Sequence, residues 1–250
     1  MIVNLTHNNV NYFADLNKPI DISIPISPEG PVAWGLDPVT IKPLNDGVWV
    51  GDVNSGGYVN FNNIYFNPHA HTTHTECVGH ISSKKESVNK ELTTFFFVSK
   101  LITLSPQKHE QDFVINENMI KQLLLKTDNI DTLIIRTKPN SDHKLRIKYI
   151  NTNPPYFLKE AVQYITDLGI KHLLIDLPSI DKERDGGELA GHKYFFGGGG
   201  VRDGATITEL IYVPNVIIDG IYLLNLQFAP FENDAAPSRP VLFNLKNASL

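Results

Sequence analysis

The chain has one cysteine, Cys77, among 250 residues. That excludes a disulfide within one chain, so the fold must be held by its core, as in proteins of a reducing compartment. No apolar run approaches the roughly 20 residues of a membrane span. Met1 to Ile20 is interrupted by Asn, Asp and Lys, which argues against a secretory signal and leads us to expect a cytoplasmic protein. Basic charge is also in short supply: 22 Lys and Arg stand against 27 Asp and Glu, a net charge of -5. Such a chain has no positive field to attract nucleic acid or an anionic membrane, and small molecules are the expected partners. With 42% hydrophobic residues, it can bury a sizeable core. Neither an internal repeat nor a linker divides it, so a single domain over residues 1–250 is the economical reading.

What the sequence concentrates is histidine. Asn67 to Ile81 reads N-P-H-A-H-T-T-H-T-E-C-V-G-H-I, and four of the nine histidines fall between His69 and His80 together with Glu76 and the lone cysteine. His74 and Glu76 are two apart, so in an extended segment they point to the same side, as neighbouring ligands of one ion must. Glu76 and His80 are four apart. If the chain turns helical after Glu76 they share a face, which seats a histidine beside an ion without requiring it to ligate. Imidazole nitrogens with a carboxylate suit zinc or manganese, and three protein ligands leave a position open for water. The competing readings are a histidine-rich surface loop and a cysteine hydrolase using Cys77. Alternation sends Cys77 away from His74 and Glu76, however, and its valine and glycine neighbours predict a buried, inert thiol.

Around this cluster the pattern is α/β. Ile20 to Ser27 alternates like a strand, Val39 to Leu44 and Val48 to Phe66 are β-rich, and Thr93 to Leu104 is a β-branched and aromatic run. Asn116 is a candidate N-cap for a short helix carrying Met119, Ile120, Leu123 and Leu124. Asp131 to Thr137 and His172 to Leu177 read as buried strands. Between them a helix is expected, capped by Asn153, with Pro154 and Pro155 in its first turn and Gly169 at its end. Strand, helix, strand implies a crossover between parallel strands. Asp176 to Asp185 crowds polar groups at the end of the second strand, where open α/β sheets place ligands. Gly197 to Gly200 reads as a loop. Thr206 to Val213 alternates so that Glu209 shares a face with Ile207, Ile211 and Val213. A carboxylate among isoleucines needs an ion pair, a proton or a cation, since leaving it bare costs several kcal/mol. Ile221 to Phe228 and Val241 to Leu245 are expected to close the sheet.

These segments together resemble the metal-dependent cyclase-like hydrolases, the family that includes bacterial kynurenine formamidase and isatin hydrolase. His74-Thr75-Glu76 and His80 resemble the second half of the family's H-x-x-x-H-x-D and following His, with Glu in place of Asp. Asp21-Ile22-Ser23 with Trp34 to Asp37 resembles its D-I-S and W-P-G-D segments, Asp176 to Asp181 its D-x-P-S-x-D, and His192 with Glu209 its distal His and Glu. The resemblance implies a layered β/β/α fold with a mixed, barrel-like sheet and commonly a homodimer or higher homo-oligomer. It implies that His74 and Glu76 bind metal, that Glu76 reaches a second ion shared with His192 and Glu209, and that His80 transfers protons. Ala70 occupies the first histidine's place, so that ligand is His69 or His71, with His69 favoured. Two divalent ions per chain, Zn or Mn, are therefore expected. The implied activity is hydrolysis of an amide carbon–nitrogen bond, in an aryl formamide such as N-formylkynurenine, and Trp34, with Phe195 or Phe196, is an aromatic candidate to stack on the aryl group. The alternatives are a cyclic amide, as for isatin hydrolase, and a non-catalytic metal-binding protein.

Overall fold

A computed structural model of the protein describes residues 1–197 and 202–248. Its centre is a curled nine-stranded sheet built, in chain order, from β1 (Ile20–Asp21), β2 (His74–Glu76), β3 (Phe96–Leu104), β4 (Thr132–Thr137), β5 (His172–Ile175), β6 (Thr206–Glu209), β7 (Gly220–Asn225), β8 (Ala235–Pro237) and β9 (Val241–Asn244). Across the sheet the order is β8-β2-β6-β5-β4-β3-β7-β9-β1. The middle, β3 with β4, β4 with β5 and β5 with β6, is parallel, and antiparallel strands flank it on both sides. The fold is thus α/β with a mixed sheet.

Alternation assigns the two faces. Leu133, Ile135, Leu173 and Ile175 point into a core covered by helices α3 (Glu117–Lys121), α4 (Lys159–Asp167) and α5 (Ala190–Gly197), with Ile120, Ile165, Phe195 and Phe196 fully buried against them. Their intervening neighbours Ile134 and Leu174 face a second core with Ile22, Leu101, Ile211 and Leu224. A small antiparallel sheet, Ile2–His7 with Val10–Asp15, adds a further β layer by packing Ala14 against Leu223 and Phe243. Two shorter helices, α1 (Pro68–His71) and α2 (Val88–Glu91), flank the histidine-bearing strand β2.

Several expected boundaries move, each for a local reason. Asn116 caps α3 as expected, its side chain accepting from the Met119 N–H. The helix expected from Asn153 begins only after Leu158. Residues before proline are biased towards extended backbone, and after the two prolines Tyr156 and Phe157 continue extended, pairing in parallel with Val114 and Ile115. Gly169, at φ +88, ends that helix as expected. The strand read to Val213 stops at Glu209, because Leu210 takes a left-handed conformation, φ 54. Between Val48 and Phe66 only Asn62–Tyr65 is strand, in a ribbon with Thr40–Pro43 that stands apart from the main sheet. Of the glycine run, Gly198 to Gly200 lie outside the described residues. No helix among the described residues is long and apolar enough to cross a membrane.

Candidate metal centre

Strand β2 carries the cluster because it is wedged between β6 and β8, with Glu76 opposite both Ile207 and Ala235 and His74 opposite Glu209. Its three residues are completely buried. The strand's alternation separates the two kinds of side chain. His74 and Glu76 face the site, while Thr75 points the other way into a hydroxyl network with Thr208 and Ser238. Thr73 pins the entry to the strand, donating to the Leu210 carbonyl at 2.5 Å and accepting from the Ile24 N–H at 2.7 Å. It thereby ties the approach to His74 to the turn that follows Glu209. The left-handed backbone at Leu210 is the strained kind often kept at functional sites.

His69 and His71 sit on the one-turn helix α1, capped by Asn67 and opened by Pro68. Residues two apart on a helix do not face each other, and these two diverge. His69 Nδ1 lies 3.2 Å from Glu76 Oε2. His71 is turned away: its Nδ1 accepts from the Asn67 N–H at 2.8 Å and its Nε2 meets the Asp37 carbonyl at 2.9 Å. With both ring nitrogens engaged elsewhere, His71 does not belong to the cluster, which corrects the reading that kept it as a candidate ligand beside His69.

After Glu76 the chain makes a one-turn 3-10 helix, Val78–His80. This brings His80 Nδ1 to 3.9 Å from Glu76 Oε2. Gly79 is required there, since a Cβ would collide with the Glu86 carbonyl. From the far side, α5 supplies His192, whose Nε2 is 3.0 Å from Glu76 Oε1 and 3.8 Å from Glu209 Oε1. Glu209 Oε2 is 3.5 Å from His74 Nε2, and its Oε1 accepts from the Ile180 N–H at 3.1 Å. Glu209 therefore meets imidazoles and a backbone amide; among the described residues no Arg or Lys ion pair reaches it.

The polar stretch Asp176 to Asp185 divides its work. Asp176 is buried in an ion pair with Lys144 at 2.7 Å and accepts from Thr137, which is structural. Asp181 reaches the site. Its carboxylate accepts from the Gly191 N–H at 2.6 Å, the His192 N–H at 3.1 Å and His192 Nδ1 at 2.6 Å. The ring is thereby fixed with Nε2 towards Glu76. A Cβ at Gly191 would meet that carboxylate at 2.8 Å.

Three buried side chains present polar atoms here without a hydrogen-bond partner: His74 Nε2, His192 Nε2 and both carboxylate oxygens of Glu76. Although His192 Nε2 and Glu76 Oε1 are close, they are not aligned as donor and acceptor. Each such atom costs on the order of 1–3 kcal/mol, more when charged. Four of them around one point make a donor set that a divalent cation satisfies. The electrostatics agree. Burial pushes the His69 ring towards the neutral form, yet Asp234 and Glu76 outweigh it and raise its pKa to about 10. Burial likewise opposes charge on His192, and Glu76, Asp181 and Glu209 override it. Burial would raise the Glu76 carboxyl, but the charge of His192 and the close approach of the His192 and His69 rings hold it well below the usual carboxylate range. The cavity thus favours positive charge. Ligand atoms of His69, His74 and Glu76 lie within 4.8 Å of one another, as do those of Glu76, His80 and His192.

Residues 20–182, more than half of the chain, match the Cyclase family model. The chain belongs to the Cyclase family. No curated protein matches it; solved structures share its fold. It is 21% identical, over 91% of its length and 98% of the other chain, to a potential metal-dependent hydrolase with cyclase activity, at a TM-score of 0.64. An isatin hydrolase bound to the product analogue thioisatinate is 16% identical, over 92% of this chain and 93% of that one, at 0.68. Isatin hydrolase A from Ralstonia solanacearum, also 16% identical, covers 90% and 91% at 0.63. At these identities the likeness shows the fold that the family membership implies.

Three further residues of the Cyclase-family chain border the cluster, and the ligand atoms of one, Asp234, lie within 4.8 Å of those of His69 and His80. Trp34 donates its indole N–H to the His69 carbonyl at 3.2 Å and keeps 42% of its surface exposed. Asp234, which the sequence pattern did not single out, places one carboxylate oxygen 2.8 Å from His69 Nε2 and 3.3 Å from His80 Nδ1. Cys77 faces away, packed with Val88 and Ala236, and burial pushes its thiol up to about 11. Such a thiol is not a nucleophile at neutral pH.

Proposed function

We propose that this protein is a metal-dependent hydrolase that cleaves an amide carbon–nitrogen bond. The observation that carries the reading is the convergence of His69, His74, Glu76, His192 and Glu209, with buried atoms of His74, Glu76 and His192 left without a hydrogen-bond partner, as a cation's ligands would be. Nitrogen and carboxylate donors fit zinc or manganese. His69, His74 and Glu76 would hold one ion, and Glu76, His192 and Glu209 a second. A divalent cation in such a site lowers the pKa of water towards about 7 and polarises a carbonyl.

The chain's own groups do the rest. His80 is 30% exposed at the side chain while Glu76 beside it is fully buried, so His80 stands at the mouth, where it can take a proton and return it to the departing amine. Transfer of this kind contributes roughly 10²- to 10⁴-fold. Trp34, braced on α1 through His69, offers an exposed aromatic face, which favours an aryl substrate. The substrate class we propose is therefore an aryl formamide such as N-formylkynurenine. A cyclic aryl amide is the second reading, favoured by the isatin hydrolases among the structural relatives.

The test is turnover by purified, metal-analysed protein against N-formylkynurenine, isatin, other lactams and esters. We expect hydrolysis of the formamide, abolished by chelation and restored by Zn²⁺ or Mn²⁺. Turnover of isatin alone would move the assignment to the cyclic amide. Failure of the metal-loaded protein on every amide would contradict the hydrolase reading.

A further inference from the structure

Asp234 lies just before β8, 165 residues from His69 in sequence, and its backbone carbonyl accepts from the Cys77 N–H at 3.0 Å. That bond fixes it beside the end of β2. Its Oδ2 then meets two imidazoles at once, His69 Nε2 at 2.8 Å and His80 Nδ1 at 3.3 Å. The two rings lie against each other with centroids 4.3 Å apart and planes inclined by 32°. A carboxylate only accepts, so each ring must present an N–H to it. On a neutral imidazole, committing one nitrogen as donor makes the other the lone-pair nitrogen. For His69 that other nitrogen is Nδ1, the one 3.2 Å from Glu76. For His80 it is Nε2.

We propose that Asp234 is the positioning residue of this centre, setting ring orientation and tautomer for both histidines through a single oxygen. It aims His69 Nδ1 into the cation site and leaves His80 Nε2 as the nitrogen that exchanges protons with substrate. The His80 half rests on the hydrolase reading. The His69 half does not, because it concerns cation affinity alone. Carboxylates in this position behind a ligating histidine affect metal affinity or activity by about 10- to 100-fold. At 25% side-chain exposure, Asp234 is outside the core, so its replacement is expected to leave the fold in place.

The experiment compares wild type with Asp234→Ala and Asp234→Asn in three measurements: Zn²⁺ affinity by competition with a chromophoric chelator, the absorption spectrum of the Co²⁺-saturated protein, and kcat and KM on whichever substrate the wild type turns over. Asp234→Ala is expected to weaken Zn²⁺ by about 10- to 100-fold, keep the Co²⁺ spectrum because the ligands are unchanged, and lower kcat with little change in KM. Asp234→Asn should recover part of both losses, since its amide oxygen still accepts one ring N–H. Wild-type affinity and kcat in Asp234→Ala would overturn the proposal. So would a Co²⁺ spectrum showing a lost ligand, which would make Asp234 a ligand in a His69, His80 and Asp234 set. A wild type inactive on every substrate would count against the hydrolase reading, while affinity and spectrum would still decide the His69 half.

Discussion

Glu76→Gln is expected to lose tight binding of divalent metal and, with it, nearly all turnover. The side chain is wholly buried, and its two oxygens face opposite ways, one 3.2 Å from His69 and the other 3.0 Å from His192. Of the two carboxylates that lie between the histidines, it makes the shorter contacts, Glu209 standing 3.5 Å from His74 and 3.8 Å from His192. Glutamine keeps the volume, so the core around β2 should survive, but it removes the negative charge and points an N–H₂ group at one of the two imidazoles. Removing one partner of a buried charged set costs about 3–5 kcal/mol, and 1.4 kcal/mol is tenfold in an equilibrium constant. Metal affinity should accordingly fall by roughly 10²- to 4 × 10³-fold, and kcat/KM should fall at least as far at limiting metal. Titration of the metal-free variant with Zn²⁺ checks the first effect independently of any substrate. Wild-type affinity in Glu76→Gln would mean that Glu76 is not the shared ligand.

The second large effect is expected at His80. His80→Ala should lower kcat by about 10²- to 10⁴-fold while bound metal stays at the wild-type level. His80 sits on the turn after β2, its Nδ1 nearer to Asp234, at 3.3 Å, than to Glu76, at 3.9 Å, and it is the most exposed imidazole of the group. His69, His74 and His192 point into the buried interior. A residue placed to move protons costs rate and spares affinity. Since His80 also lies within reach of Glu76 and His192 as a third donor, metal analysis of the variant is the deciding readout. Loss of an ion would reassign His80 as a ligand.

The parts of this centre that were legible in the sequence are those close together along the chain. His74, Glu76 and His80 could be related by spacing because a strand followed by one helical turn has fixed periodicities. The choice between His69 and His71 could not be made that way. In an extended segment both would face one side, and only the short helix begun at Asn67 and Pro68 sends them apart. His192 and Glu209 came from resemblance, with Glu209 supported by its place among isoleucines. Asp234 left no mark, because Asn233-Asp234-Ala235-Ala236-Pro237 reads like any polar turn and its meaning arises only when β8 pairs with β2. The parallel crossover from β4 to β5 was readable from two buried apolar runs around a helix. The helix's true start was not, because pairing of Tyr156 and Phe157 with another strand overrode the capping pattern at Asn153.

One buried carboxylate, Glu76, is expected to be shared between two cation positions. The most direct test is anomalous diffraction from crystals of the protein equilibrated with excess Zn²⁺ or Mn²⁺. Two peaks per chain are predicted, one liganded by His69, His74 and Glu76 and the other by Glu76, His192 and Glu209. A single peak, with His192 and Glu209 directed elsewhere, would contradict it.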